Sequence, residues 1–468
     1  MNEPSSPTAL SATRCRSSTP GHISAAVIDF PDILVVLIPS AGSNWPVAAR
    51  GLSPTIGVAQ GTALYLGAVL GAGVLILPGA AATIAGPASV VSWALLSLLG
   101  LPLALAFAAL AARYPDAGGV ASFAARAFGP RTGGVVGWLY FVAAATGQVV
   151  VALTGAYYAA VPLGLGRAGI FAVAAAILAV AVAANMRGLR VSAGLQLALA
   201  GAVAGLLAVA ALAAIPRMSA ANWKPFAPHG VRAVGDAGRV IFFAVFGWEA
   251  VAQLSAEFRD PARDVPRSTL LSVGVISALY VGIAAATVGT HAYGSLAVDR
   301  VSVAKVLGDG VGLRAADAAA VMAVLVATAT ANAFVAATSR LGYALARDGQ
   351  FPRIFAGLGE DGVPRRAVAL VGAYAASGLA LAYVAGWGAE RLLPVPNALG
   401  LATYLVAMAA AVKLLAGRAR LFGAAGLAFC AAVTPFFGAS LAAVGVVGLV
   451  AAAYLELAAG SPGRSRGQ

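Results

Sequence analysis

The stretch Gly67-Ala-Val-Leu-Gly-Ala-Gly-Val-Leu-Ile-Leu-Pro78 lies inside the first long apolar run of the chain. Its residues suit lipid, but glycines at 71 and 73 have no Cβ to hold the backbone to helical angles. Pro78 withholds a backbone donor a few residues later. In hydrocarbon an unpaired N–H or C=O costs several kcal/mol, so a helix is broken there only where the freed groups line a cavity. A second interruption, Phe242-Phe-Ala-Val-Phe-Gly-Trp-Glu-Ala250, falls in the corresponding run of a second set of five. Matched breaks in two halves are the pattern that marks the solute site of a secondary transporter. Small residues at this spacing also let two helices pack closely, so either stretch alone leaves both readings open.

Composition agrees with a membrane setting. Of 468 residues, 60% are hydrophobic and 10% charged, against about 25% charged in soluble domains. The net charge of +13 sits on arginines in the connections between apolar runs, which is a membrane protein's loop pattern and excludes a nucleic-acid partner. Cys15 and Cys430 form no disulfide framework, and His22, His229 and His291 are scattered, so no metal site is expected. No apolar run pairs a histidine with an acid, and no nucleophile has a base nearby. An enzyme is therefore not expected, and no catalytic residue is assigned.

Residues 1–50 are rich in Ser, Pro and Thr, and their apolar stretch Ile33 to Ile38 is too short to span. They are expected to form a disordered cytoplasmic tail, or to be an upstream extension from a misassigned start. Twelve apolar runs follow, beginning with 59–84, 88–112 and 132–161; the sixth is 237–258. Each can cross a core roughly 30 Å thick with about 20 residues. The last two, 420–437 and 438–458, meet at Phe437-Gly438, so an eleven-span reading also stands. With the first run starting inside, most of the 30 Lys and Arg residues fall on the cytoplasmic side, which puts both termini in the cytoplasm.

The breaks suggest their own chemistry. Amides freed at Gly71, Ala72, Gly73 and Val74 lie at the positive end of a half-helix and suit a carboxylate. Carbonyls freed near Val245, Phe246 and Gly247, beside Trp248, suit an ammonium. Together they describe an α-amino acid. Glu249 is an ionisable group deep in a membrane run, and such groups are costly and functional by default; it either supports the break or carries a proton. Thr328, Thr330 and Asn332 could coordinate an ion or satisfy nearby backbone.

These residues carry a resemblance. Gly-Ala-Gly-Val (71–74), Tyr114-Pro-Asp-Ala-Gly-Gly119, Phe246-Gly-Trp-Glu249, Glu257-Phe-Arg-Asp-Pro261, Ser339-Arg340 and Leu345-Ala-Arg-Asp-Gly349 are similar, in order, to signatures of the amino acid–polyamine–organocation (APC) superfamily of transporters. Within it, 114–123 and 247–258 most resemble the bacterial methionine and branched-chain amino acid exporters. The resemblance implies an all-α integral membrane protein of twelve transmembrane helices. Residues 51–415 would form a five-plus-five inverted-repeat core with helices 1 and 6 broken. Residues 416–458 would add two peripheral helices, and 459–468 a cytoplasmic tail. It implies a substrate held by residues 71–74 and 245–248, with Phe243 as a gate. The apolar inventory of those positions points to methionine, leucine, isoleucine or valine, moved across the plasma membrane by efflux. Uptake or exchange on the same fold is the alternative, and a nontransporting nutrient sensor is a reading of a different class. Some proton-driven relatives carry a lysine on the fifth helix, whereas Val191 to Ile215 holds no charge. Coupling to H⁺ or Na⁺ is thus unassigned, no cofactor is expected, and the partners are the amino acid and the lipid bilayer. Oligomeric state is not legible.

Overall fold

The computed structural model describes residues 54–71, 73–299, 302–311 and 314–459. The expected N-terminal tail, Ala72 and all but the first residue of the expected C-terminal tail lie outside the described residues. The chain runs α1 (Val58–Val69), α2 (Gly73–Ala85), α3 (Ser89–Arg113), α4 (Val120–Phe128), α5 (Pro130–Leu163), α6 (Arg167–Met186), α7 (Leu189–Ala214) and α8 (Arg232–Ile241). Two 3₁₀ segments, Phe242–Val245 and Ala250–Glu257, lead into α9 (Pro261–Gly289). There follow α10 (Ser302–Val311), α11 (Ala315–Arg347), α12 (Arg365–Ala385), α13 (Pro394–Leu414), α14 (Gly417–Val433) and α15 (Ala442–Ala459). Among the described residues the only extended pairing is one isolated parallel bridge, Ile56 to Phe258.

Local chemistry sets the helix ends. Pro130 opens α5 as its first residue, where the missing N–H would have no intrahelical partner. Asp260 precedes Pro261, and its side chain accepts the N–H of Arg263 at 3.3 Å, an N-cap for α9.

Nine helices among the described residues are long and apolar enough to cross a membrane. Of the other expected spans, 59–84 is divided between α1 and α2, and 237–258 between α8 and two 3₁₀ segments. The third, 420–437, lies in the 17-residue α14 and the turn after it. Burial separates centre from rim: the best apolar window of the α5 span is 72% buried, that of the α11 span 67%, and that of the last helix 6%. α5 and α11 lie along one another at the centre, close enough that a Cβ on Gly155 would fall 2.5 Å from the Ala327 methyl.

One face of the bundle is tied by polar contacts. Thr55 and Ile56 donate their N–H groups to Glu257 O at 2.9 Å, and Arg259 N–H returns to Ile56 O at 2.9 Å. The Glu257 carboxylate pairs with Arg340 Nε at 2.7 Å, with side chains only 4% and 1% exposed. On the same face Arg347 bridges Asp116 at 3.1 Å and Asp348 at 2.7 Å.

Candidate functional site

At the first break α1 stops and its last carbonyls need new donors. Leu70 N–H closes the helix onto Leu66 O at 2.9 Å. The Thr330 hydroxyl of α11 donates to Gly67 O at 2.8 Å, and the Tyr280 hydroxyl of α9 donates to Val69 O at 2.8 Å. Two neighbouring helices thus replace the bonds that a continuous helix would have made. Beyond Gly71 the chain restarts as α2, with the helix N-terminus, and its partial positive charge, beside the gap.

The second break is held by a carboxylate. Gly247 has φ +124°, a backbone angle open to glycine and strained for other residues. Its N–H donates to Glu249 Oε2 at 2.9 Å, so the acid folds back onto the break two residues before it. Tyr140 of α5 donates to Glu249 Oε1 at 3.1 Å, and Tyr404 of α13 donates to Oε2. Glu249 is 3% exposed, and three donors from three elements replace its water. A buried charge needs such compensation.

The two breaks touch. A Cβ built on Gly247 would lie 2.8 Å from both the carbonyl carbon and oxygen of Ala68, and 3.0 Å from Val69 Cα. Only a residue without a side chain lets the second break approach the end of α1 so closely.

Between the breaks, α5 and α13 is a cavity of about 90 Å³. Of the residues expected at a binding site, Gly71, Gly73, Phe246, Glu249 and Thr330 line it. Val74, Val245 and Trp248 are buried behind its wall (1%, 2% and 5% exposed), with the Trp248 ring 5.6 Å from that of Tyr65. Gly247 is the contact between the breaks rather than a wall residue. The backbone of Phe243 lies in the 3₁₀ segment at the break; its side chain is outside the described residues. Thr328 donates to Val324 O of its own helix at 2.7 Å. Asn332 lies in a buried knot: its amide donates to Ser192 O and Gln196 Oε1, both at 2.9 Å. Its Oδ1 accepts from Ser192 Oγ at 3.0 Å and Asn185 Nδ2 at 3.1 Å. Gln196 also donates to Ala63 O of α1 at 3.1 Å, which ties α7 to the first break's helix.

The remaining wall comes from residues that the sequence reading did not single out. Tyr140, Ala143, Ala144 and Gly147 line the cavity from α5, and Pro396, Asn397 and Gly400 from α13. The α5 set has the i, i+3, i+4, i+7 spacing of one helix face. The spacing is visible in the sequence, but nothing local distinguishes this face from an ordinary packing stripe.

The family described as amino acid permease matches residues 56–462 of the chain. The chain belongs to that family. This permease is 36% identical to an "uncharacterized amino acid permease YecA" of Bacillus subtilis over 77% of its length and 85% of the relative's. It is 30% identical to the "L-methionine/branched-chain amino acid exporter YjeH" of Escherichia coli over 83% and 93% of the two chains. A branched-chain amino acid permease of Bacillus subtilis, BcaP, is 27% identical over 65% and 69%. The family and these relatives are transporters, not enzymes. With nine apolar helices among the described residues, the permease is a multi-pass protein of the bacterial cell membrane whose substrate is an amino acid.

Proposed function

We propose that this permease moves neutral, apolar L-amino acids (methionine, leucine, isoleucine and valine) by alternating access, with efflux as the net direction. The observation that carries the reading is the cavity itself. It is lined at the first break by Gly71 and Gly73 and at the second by Phe246. Amides at the positive end of α2 donate to a carboxylate, and carbonyls of the second break accept from an ammonium. No lysine or arginine lines the cavity among the described residues, and Val150, Val151, Phe334 and Leu393 make its wall apolar, which favours an uncharged side chain. A single water needs roughly 10–15 Å³, and the cavity of about 90 Å³ has room for a solute of several heavy atoms. Efflux of these acids draws support from the exporter relative.

The same reading includes twelve spans in two inverted five-helix repeats, a substrate site at residues 71–74 and 245–248 gated by Phe243, and both termini in the cytoplasm. Glu249 supports the second break, and as the only carboxylate on the cavity wall among the described residues it is the group through which a coupled proton would act.

The test is flux in reconstituted vesicles loaded with labelled methionine or leucine, with and without imposed pH or Na⁺ gradients. Outward movement driven by a gradient supports the exporter; accumulation or one-for-one exchange favours a permease or exchanger on this fold. Binding without movement would identify a sensor.

A further inference from the structure

Three glycines of α5 differ in what surrounds them. A Cβ on Gly137 would fall 2.4 Å from Leu345 Cδ2, and one on Gly155 would fall 2.5 Å from the Ala327 methyl. Gly155 is required for close packing against α11, where the methyl of Ala327 and the carbonyl of Ala323 leave no room, while at Gly137 the leucine would have to move. Gly147, between them, is different: a Cβ there meets Pro396 Cβ of α13 at 3.8 Å, and nothing else lies within 4 Å. That is ordinary van der Waals contact, so an alanine fits without displacing any neighbour. Gly147 and Pro396 both line the cavity, and the room that a methyl would fill is cavity room. Packing therefore does not require glycine at 147, although glycine weakens a helix interior. The cost has a use if the empty space belongs to the substrate.

We propose that Gly147 gauges the size of the transported side chain. The inference rests on the amino acid reading given above. With the amino and carboxyl groups held at the breaks, the side chain extends toward α5 and α13, and the gap between Gly147 and Pro396 sets how much of it fits. A methyl at 147 removes about one carbon's worth of room. In an apolar pocket a difference of one methylene changes selectivity by roughly 10- to 200-fold.

The experiment compares wild type, Gly147→Ala and Gly147→Val in proteoliposomes with labelled alanine, valine, leucine, methionine and phenylalanine. The methionine-to-alanine ratio of uptake rate over KM is expected to fall about tenfold in Gly147→Ala and further in Gly147→Val, through KM. Thermal stabilisation of the detergent-solubilised protein by the same five acids gives a second readout, with methionine's effect lost before alanine's. If Gly147→Val fails to fold, Gly147→Ala alone decides, because its methyl has space. An unchanged ratio, or an equal loss for all five acids, overturns the gauge and leaves the transport reading intact. A wild type that moves none of the five overturns both.

Discussion

Gly71 and Gly247 look alike in the sequence and differ in the structure. A Cβ on Gly71 would meet nothing closer than 3.8 Å, while one on Gly247 would strike the Ala68 carbonyl at 2.8 Å from a backbone with φ +124°. Gly247→Ala is therefore expected to lower stability by about 1–3 kcal/mol and to reduce flux at least tenfold, read by thermal unfolding and vesicle uptake. Gly71→Ala is expected to unfold at nearly the wild-type temperature yet transport poorly, because its methyl enters the cavity. Equal destabilisation of the two would contradict the geometry. Glu249→Gln replaces an acceptor of three hydrogen bonds with an amide whose NH₂ would face a donor. Flux is expected to fall tenfold or more. Flux measured against pH then separates two roles: a support lowers transport at every pH, whereas loss of a proton carrier abolishes the response to an imposed pH gradient.

At the scale of elements, each break is stabilised by side chains from helices far away in the chain. Tyr280→Phe removes the donor to Val69 O, leaving a buried carbonyl unsatisfied at a cost of about 1–3 kcal/mol. A fall in melting temperature with reduced flux checks it. This is also where the sequence stops being sufficient. The breaks themselves were legible, because glycine and proline act on their own stretch of backbone and Glu249 is conspicuous in an apolar run. Their partners were not: Tyr140 and Tyr404 reach Glu249 across 109 and 155 residues, and Gln196 reaches Asn332 across 136. A tyrosine or glutamine in an apolar helix gives no sign of which distant carbonyl or acid it will meet. Twelve apolar runs can be counted, and the division of 59–84 and 237–258 into short helical pieces follows their own glycines; the contact between the two breaks is what no single run contains. Val74, Val245 and Trp248 flank the glycines and so belong to the site as the sequence presents it. The pitch of the chain beyond each break turns their side chains into the core, and α5 and α13 supply wall in their place.

Across the whole molecule, the cavity extends along α5 from Tyr140 to Val151 and along α13 from Gly400 back to Leu393. Elsewhere in the bundle, the Thr55–Ile56 backbone bonds to Glu257 and the buried Arg340–Glu257 pair tie the start of α1 and the segment before α9 to α11. Removing one partner of such a pair leaves an uncompensated buried charge, at a cost of about 3–5 kcal/mol. Glu257→Gln and Arg340→Met are each expected to lower the melting temperature markedly, and the double variant to recover part of the loss; additive losses would mean that the two side chains do not act together. Competition against labelled leucine uptake by methionine, methionine methyl ester and N-acetylmethionine is the most direct test of a zwitterion held between two broken helices. The expected result is strong competition by methionine and little by either derivative, since each removes one of the charges that the breaks receive. Equal competition by the ester or the N-acetyl compound would contradict it.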